Sequence, residues 1–557
     1  MLRSIIFFIL LICNPVGLTK DNIQYGGNLN VGTVNVTLSA LSWDPRDWVW
    51  KANHDAGAVR EQLFVADLSK SKRNGGEYGF VQEAYLPTDS IKGELAKSWY
   101  WEDDLTLVVE LRRDVFFPEH PGLMKSRLFT ADDVVFSYNF VDQSPKKILS
   151  YFDHIDEVIA RDAHTVVFKF NQFHAEWAYR YGYGYHSAIN PRELSRVDPK
   201  DWRNVAGTGP FGLEKYVQSN AQIYKKNNIY WGSEEIGEKS YKLPFVDRVI
   251  YRIIKDEATY LTALRTGQLD ILESIRWIAV DHLKETTPEL KWNRWLSTGG
   301  TFVSLRVDQK PFDDVRVRRA LNLAINQQEI ADVFYGGHAE LMAYPQHPDF
   351  GDYFQPLSEM PDEIQELFTY NPERAKALLL EAGVPHGFSF NVQVCSCNSS
   401  HMDLIPLLES YLSKIGVKVV IEPLEYASYF SAMTTRTHGP GYLVNSGHVN
   451  PVTTLRKSFV TGQKWNPSQY SSDYFDEQID ILHNERDEQK RIGLIRHLTR
   501  NIMSETPYIW LPTPYVHTAW WPWVKNYGGE LRAGANRPGP IYARIWIDQE
   551  LKEKMGF

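Results

Sequence analysis

Residues that could carry out chemistry are thinly spread along this chain, and one short cluster stands out. The stretch FSFNVQVCSCNSSH contains Cys395 and Cys397, followed by His401. Alternation along a strand would place both thiols on one face, and with the imidazole they resemble a set of ligands for a soft metal. Three ligands in one stretch are weak evidence, and strand-end residues or a local disulfide remain the alternative. We therefore expect no metal site.

Other catalytic signatures are absent from the sequence or fail on inspection. It contains no G-x-S-x-G, H-E-x-x-H or P-loop motif. GTGPFG at Gly207–Gly212 matches a dinucleotide fingerprint, but Pro210 lacks a backbone donor and the following LEKYVQ is not helical in pattern. His174 and His186 lack metal-ligand spacing, and the acids at Glu102–Asp104 precede a predicted strand. We expect neither an enzyme nor a cofactor.

The elements that surround these residues predict a mixed α/β fold. GGNLNVGTV, LTLVVELRR and HTVVFKFN are typical of strands, whereas TADDVVFSYNFV and EATYLTALRTGQ are typical of helices. In YNPERAKALLLEAG, Asn371 is the expected N-cap, Pro372 the first helical residue and Gly383 the end. The strand FNVQV, the helix DLIPLLESYLSKIG and the strand VKVVIEP follow, which indicates a βαβ unit in a separate domain.

A further helix is strongly specified within KPFDDVRVRRALNLAINQQEI, from Lys310 to Ile330. Asp313 is the expected N-cap, and Phe312 is placed to pack on Val317. One face is apolar and should be buried: Val317, Ala320, Leu321, Ala324 and Ile325. The remaining positions predict a solvated face: Arg316, Arg318, Arg319, Asn322 and Gln327. The pattern alone indicates a packed helix and no binding site.

Length and composition limit the class of protein. A chain of 557 residues exceeds one hydrophobic core and predicts two or three domains. The formal net charge of −9 argues against a nucleic-acid partner. The 17 Trp and 30 Tyr residues are suited to a ligand cleft, although an aromatic core explains them equally well.

The N-terminus has the pattern of an export signal. Arg3 precedes an apolar run from Ile5 to Ile12, and helix breakers follow in NPVGL. We predict a signal peptide over residues 1–18 and a periplasmic mature protein. Cys13 leaves a lipoprotein anchor as the alternative, but the preceding LLI lacks the expected small residue. No later segment reaches the roughly 18 consecutive apolar residues of a transmembrane helix.

Several motifs, taken in order, resemble the family 5 extracellular solute-binding proteins, the peptide and nickel receptors of ABC importers. ELAKSWYWEDDLTLVVELRRDVFF with FTADDVVFSY resembles the early block of this family, and GTGPF its middle block. ALRTGQLDI, KPFDDVRVRRALNLAI and NPERAKALLLEAG follow in family order. The resemblance spans roughly Gly26 to Tyr527.

The resemblance implies a two-lobed α/β clamshell with an extra subdomain in the first lobe. It places lobe I at residues 25–297, lobe II at 298–505 and a return to lobe I at 506–557. The expected crossings lie near Leu296–Val303 and Thr506–Pro512. A small solute would bind between the lobes of a monomer and favour the closed state, which a membrane permease then recognises.

The solute is less well specified. In peptide-binding relatives an acid four residues before a proline pairs with the α-amino group of the ligand. In GYLVNSGHVNPVTTL the corresponding proline is Pro451, so Gly447 stands at the position of the acid and Asn450 replaces a second acid. This departure argues against recognition of a free amino group.

The candidate ligand contacts follow from the same comparison. Hydrogen-bonding candidates are Tyr442, Asn445, His448 and Asn450, and candidate cleft aromatics are Trp43, Trp510 and Tyr515. The main prediction is an oligopeptide-like solute, and an oligosaccharide is the rival within the fold. An exported sensor or hydrolase is the alternative from a different class.

Overall fold

The computed structural model describes residues 23–33, 43–47, 50–144, 151–384, 386–447 and 449–557. The predicted signal peptide, with Arg3 and Cys13, lies outside the described residues, as does His448. Among the described helices, none combines the length and the apolar character that a membrane crossing requires.

A large mixed sheet forms the centre of the first lobe. Its strands, in spatial order, are β10 (Phe211–Val217), β11 (Ala221–Lys226), β14 (Arg248–Ile253), β1 (Asn28–Thr33), β15 (Ile271–Arg276), β23 (Thr513–Trp520) and β16 (Lys291–Leu296), and β18 (Ala339–Glu340) pairs with β23. Strand β1 is parallel to both β14 and β15, whereas β23 is antiparallel to β15 and β16. Strand β23, from late in the chain, therefore completes a sheet to which the early strand β1 belongs.

A second, antiparallel sheet forms the extra subdomain of this lobe. Its order is β4 (Ala96–Asp103), β5 (Thr106–Leu111), β9 (Thr165–Phe170) and β8 (Ile155–Asp162). Two-stranded pairs complete the lobe: β2 (Phe64–Ala66) with β3 (Ile91–Gly93), β6 (Phe116–Phe117) with β7 (Arg127–Leu128), β12 (Ser233–Ile236) with β13 (Lys239–Lys242), and β24 (Val524–Lys525) with β25 (Trp546–Ile547). Its helices are α1 (Trp50–Ala56), α2 (Ala131–Asp142), α3 (Glu257–Arg265), α4 (Trp277–Thr286), α14 (Gly539–Tyr542) and α15 (Gln549–Lys554).

The second lobe has a sheet covered by helices on both faces. The strand order is β20 (Lys418–Leu424), β19 (Ser389–Cys395), β21 (Gly441–Gly447), β17 (Gly299–Leu305) and β22 (Tyr508–Trp510). The helices are α5 (Val315–Leu323), α6 (Gln327–Glu329), α7 (Asp362–Gln365), α8 (Pro372–Glu381), α9 (Ser399–Ser413), α10 (Tyr426–Thr434), α11 (Pro451–Phe459), α12 (Asp473–Asn484) and α13 (Glu488–Glu505). The predicted βαβ unit is confirmed, because β19 and β20 are parallel and α9 connects them.

Strand alternation divides the core of this lobe into two hydrophobic clusters. Val303 on β17 and Leu443 on β21 face the cluster that includes residues of α5, α8 and α9. Phe302 and Tyr442, their neighbours in the chain, face the cluster that includes residues of α10 to α13. Successive side chains of a strand point to opposite faces, so both faces of the sheet are buried.

The chain passes between the two sheets twice. It leaves the large sheet after Leu296 and enters the five-stranded sheet at Gly299. It returns between Trp510 and Thr513. The return lies a few residues after the boundary expected at residue 506, because β22 still pairs with β17. We use lobe I and lobe II for the parts of the chain on either side of these crossings.

Helix α5 fixes the second crossing. Its predicted apolar face is confirmed as fully buried, but its N-cap is Asp314 rather than Asp313, and its polar face is not uniformly solvated. Asn322 is buried; its amide donates to the carbonyl of Tyr508 at 3.0 Å and its side-chain oxygen accepts from the amide of Trp510 at 3.0 Å. Arg318 is also buried and donates to backbone carbonyls. Gln327, on α6, is buried as well and donates to the carbonyl of Leu367 at 3.3 Å. The hydrogen bonds of Asn322 therefore anchor β22 to α5.

Candidate functional site

A cavity of about 600 Å³ lies between the lobes, beside the crossing strands. Three regions of the chain line it: Lys72, Glu77 and Tyr78 from lobe I, Arg294, Trp295 and Tyr515 from the crossing strands, and Asp349 and Phe354 from lobe II. Glu340 also lines it from β18, which pairs with β23 of the large sheet. A solute in this space would contact both lobes together. That is the geometry in which a ligand stabilises a closed arrangement of two lobes.

The lining carries charges of both signs. The guanidinium carbon of Arg294 lies 3.6 Å from the ring centroid of Tyr515, whose hydroxyl donates to Glu340 Oε1 at 2.6 Å. Burial, together with the charge of Glu340, raises the pKa of Tyr515 to about 12. Burial also raises the pKa of Asp349, which accepts a hydrogen bond from Gln82 Nε2 at 2.7 Å. The cavity therefore suits a polar solute with more than one charged or hydrogen-bonding group.

Tyr515 is the predicted site residue that lines this cavity. The other three aromatic candidates belong to hydrophobic cores. Trp43 packs on Tyr216 in the core of lobe I, with ring centroids 5.3 Å apart. Tyr442 and Trp510 lie on the face of the lobe II sheet that α10 to α13 cover. Their position follows from strand alternation, because the residues beside them face the opposite cluster.

Two of the polar candidates have structural roles. Asn450 is buried and caps α11, accepting a hydrogen bond from the amide of Thr453 at 2.8 Å. Asn445 donates to the carbonyl of Gly299 at 3.0 Å, where β21 meets the first crossing. His448 lies outside the described residues. The structure therefore brings Asn445 to the crossing and Asn450 to a helix start, and neither lines the cavity.

Gly447 is the point where the end of β21 meets lobe I. A Cβ added to Gly447 would overlap Glu83 Oε2, so the carboxylate lies directly against this glycine. Tyr185 donates its hydroxyl to Glu83 Oε1. Lys457, on α11, donates its ammonium to the carbonyl oxygen of Gly447. The sequence predicts no acid at Gly447, and the structure supplies one from the opposite lobe.

A second contact between the lobes is centred on Glu176. We call Glu176, Arg180, Thr453 and His483 the Glu176 cluster. Arg180 donates to Glu176 Oε2 at 3.1 Å, Thr453 donates to Oε1, and His483 Nε2 lies 3.7 Å from Oε2. Burial raises the pKa of Glu176, but Arg180, His483, Arg456 and the hydrogen bond from Thr453 together outweigh it, and the pKa falls to about 2. A carboxylate of lobe I is thus buried and ionised against two side chains of lobe II.

Histidine rings continue this contact into lobe I. The ring centroids of His174 and His483 are 4.5 Å apart, and those of His154 and His174 are 4.2 Å apart. Burial, with the nearby charge of Arg180, lowers the pKa of His154 to about 3 and that of His174 well below its usual range. Burial likewise lowers the pKa of His483 to about 3. All three rings are neutral at pH 7, so they pack as aromatic groups.

A metal ion is a poor fit to these donors. His174, Glu176 and His483 each offer a ligand atom within 4.8 Å of the other two. The carboxylate already binds Arg180 and Thr453, and a dication would lie against a guanidinium group. We therefore assign these three residues to contact between the lobes.

The candidate metal ligands considered from the sequence, Cys395, Cys397 and His401, are also a poor fit to a metal ion. Cys395 and Cys397 are joined in a disulfide, so neither sulfur is a thiolate. His401 is buried in the first turn of α9. The local disulfide, which the spacing left open, is the arrangement in this structure.

Two further contacts hold the lobes together. Val449 of lobe II is buried in the hydrophobic core of lobe I. Arg486 of lobe II donates to the carbonyl of Asp104, and its guanidinium carbon lies 4.1 Å from the ring centroid of Phe173. The described arrangement is therefore closed, with apolar and polar contacts between the lobes.

Sequence reasoning missed Glu83, Glu176, Thr453 and Lys457. The i, i+4 spacing of Glu176 and Arg180 is a signal for an ion pair, and His174 lies two residues before Glu176. No local signal marks Glu83 or Lys457. Each acquires a partner only when distant parts of the chain meet.

The comparisons agree with this architecture. Residues 90–466, more than half of the chain, match the model of the bacterial extracellular solute-binding proteins, family 5. The chain is similar to the dipeptide-binding protein of Escherichia coli (strain K12), with 25% identity over 517 residues that cover 88% of this chain and 93% of that protein. It is also similar to heme-binding protein A of Haemophilus influenzae, with 27% identity over 66% of this chain and 68% of that protein.

Among solved structures, similarity extends over almost the whole chain. The periplasmic binding protein DppA from Helicobacter pylori, in complex with peptide STSA, superposes with a TM-score of 0.76 at 24% identity. The match covers 95% of this chain and 99% of that one. At this identity the similarity establishes the two-lobed fold.

Proposed function

Because the chain belongs to the family 5 bacterial extracellular solute-binding proteins, we propose that it captures a peptide-like solute between its two lobes and delivers it to the membrane permease of an ABC importer. The solute binds by closure of the lobes, and no bond is made or broken. Binding favours the closed state by the difference between the affinities of the two states. If about 1% of the free protein is closed, a difference of about 5.5 kcal/mol closes nearly all of it.

The observation that carries this proposal is the cavity between the lobes. Its lining has cations at Lys72 and Arg294 and carboxylates at Glu77, Glu340 and Asp349. A peptide-like solute offers amide donors and acceptors and terminal charges, which such a lining can pair. The relatives named as dipeptide-binding proteins support the same solute class.

An oligosaccharide is less suited to this cavity. Neutral sugars are generally held by hydrogen bonds and aromatic faces, and five charged side chains in the lining would each lose solvation without gaining a charged partner. Of the candidate cleft aromatics, which could have served as a platform for sugars, Trp43 and Trp510 lie in hydrophobic cores. The charge of the lining therefore favours the peptide-like solute.

The location and the partner complete the proposal. The pattern around Arg3 and the match to extracellular binding proteins support export to the periplasm, with removal of the leader. In the closed state both lobes present a joint surface, which the permease would recognise. We expect the protein to act as a monomer.

The experiment is capture of peptides from a defined mixture. The mature protein is incubated with a random tripeptide library, washed and then denatured. The molecules that it retained are identified by mass spectrometry. We expect retained peptides at one per protein and a melting temperature that rises with peptide concentration. Retention of sugars but no peptides, or conversion of the added peptides into products, would contradict the proposal.

A further inference from the structure

The cavity between the lobes contains two cations that the protein itself does not neutralise. Lys72 and Arg294 both line it, and neither forms a hydrogen bond or an ion pair with any residue that the structure describes. Two of the three lining carboxylates, in contrast, already accept hydrogen bonds from neighbouring side chains, Glu340 at 2.6 Å and Asp349 at 2.7 Å. An anionic group of a solute can therefore bind the cations without displacing a carboxylate of the protein.

Strand pairing places Arg294 beside Tyr515. Arg294 of β16 pairs with His517 of β23, and Tyr515 lies two residues before His517, on the same face of the sheet. Diagonal neighbours of this kind are within reach of long and aromatic side chains. The guanidinium carbon accordingly lies 3.6 Å from the ring centroid of Tyr515, and the hydroxyl of that ring donates to Glu340. The arginine therefore rests on an aromatic ring that is itself held in place.

A guanidinium group stacked on a ring keeps its N–H donors at its edge. These donors form a planar fork that matches the two oxygens of a carboxylate, and contact with the ring leaves the positive charge intact. Because Tyr515 already restrains the side chain, less conformational entropy is lost when a solute binds. The ammonium of Lys72 adds positive charge to the cavity but lacks the fork. Arg294 is thus the lining cation best suited to a carboxylate.

We propose that Arg294 binds a carboxylate of the solute, so that the cavity selects peptide-like solutes that carry at least one free carboxylate. This inference rests on the proposed peptide function and specifies its solute class. The carboxylate can belong to the C-terminus or to an acidic side chain, since both present the same pair of oxygens. A solute whose carboxyl groups are all amidated would leave the guanidinium without a charged partner in the bound state.

The test uses four sets of tripeptides, mixed in equal amounts. The first pair of sets has neutral side chains and ends either in a free carboxylate or in an amide. The second pair is amidated at the C-terminus and carries either one glutamate or one glutamine side chain. Mass spectrometry counts the peptides retained by the wild type, Arg294→Gln, Arg294→Lys and the control Arg113→Gln. Arg113 is exposed, does not line the cavity and, within the part of the chain that the structure describes, forms no hydrogen bond or ion pair.

We expect the wild type and the control to favour the carboxylate at least tenfold in one pair or in both, which is the lower end of the contribution of a hydrogen bond to a charged group. A preference in the first pair assigns the C-terminus as the source of the carboxylate, and a preference in the second assigns the side chain. Arg294→Gln should reduce each preference to within about threefold. Arg294→Lys should retain an intermediate preference, because an ammonium keeps the charge and lacks the fork.

The opposite results would overturn the inference. Equal retention of carboxylate and amide by the wild type in both pairs would refute the role of Arg294 and leave peptide capture standing. A preference that persists in Arg294→Gln, with a melting curve that shows a folded protein, would also refute it, because another group then binds the carboxylate. If neither the wild type nor any variant retains peptides of any set, the proposed function fails, and this inference fails with it.

Discussion

Replacing Thr453 by Val removes one hydrogen bond between the lobes and leaves the shape of the residue almost unchanged. The hydroxyl of Thr453, in lobe II, donates to Glu176 Oε1 in lobe I, and both side chains are buried. In the variant this oxygen has no remaining hydrogen-bond donor among the described residues in the closed state, whereas water can replace the hydroxyl when the lobes are open. The change therefore acts on the closing equilibrium.

The expected size follows from the charge of the acceptor. Glu176 is ionised, and a hydrogen bond to a charged group contributes about 1.5–3 kcal/mol. Since binding requires closure, the affinity for solute should fall about 10- to 150-fold. Thr453→Ser retains a hydroxyl and should recover most of the loss.

The assay is calorimetric titration with the tripeptide that the wild type selects from the library. Thr435→Val is the matched control, because Thr435 is exposed in lobe II and its hydroxyl donates to the carbonyl of Ser431 in the same lobe. The control should stay within about twofold of the wild type. An affinity for Thr453→Val equal to that of the wild type, or an equal loss in the control, would refute the role of the Glu176 cluster in closure.

Three further outcomes are expected. Acid should weaken binding, because His174 and His483 are neutral in the closed state with lowered pKa values, while Glu176 stays ionised. The stability of the closed state is therefore fully present above about pH 6.5 and declines as the pH falls toward the pKa of about 3 of His483, by about 2 kcal/mol at pH 5 for each ring that regains water on opening. Titrations at pH 7.5 and 5 that give equal affinities would contradict this. A thiol assay of the mature protein should find no free thiol before reduction and two after it, from Cys395 and Cys397; free thiols in the native protein would contradict the disulfide. Intact mass of protein from the periplasm should show that the predicted leader has been removed; a species that retains Met1 would contradict export with cleavage.

Local sequence patterns predicted the helices and strands of the second lobe well. Helix α8 begins at Pro372 with Asn371 as its cap, and α9 connects the parallel strands β19 and β20, as the pattern indicated. These features depend on helix caps, helix-forming residues and the spacing of apolar residues, all within one short stretch. The two-lobed fold came from the order of motifs, and the similar solved structures confirm it.

The polar face of α5 shows where local pattern is insufficient. Asn322 looked solvated, yet it pairs with both Tyr508 and Trp510. Its partners are far away in sequence, so no spacing rule contains them. The same limit explains the misplaced aromatic candidates, because the face to which Tyr442 points depends on which helices cover that face.

The charges of the candidate site were the least predictable part. Gly447 suggested a missing acid, but Glu83 reaches it from the opposite lobe, and Lys457 approaches from α11. A sequence shows which acids exist, and only the closed arrangement shows which glycine they contact. Contacts that form on closure are therefore the ones least accessible to prediction from sequence.

Small-angle X-ray scattering of the mature protein, with and without a saturating concentration of the selected tripeptide, tests the central claim most directly. The account predicts an open free protein and a bound form with a smaller radius of gyration, because the cavity and the contacts at Glu176 and Gly447 all join one lobe to the other. Thr453→Val should need more peptide to reach the same bound radius. An unchanged radius at saturation would contradict capture by closure of the lobes.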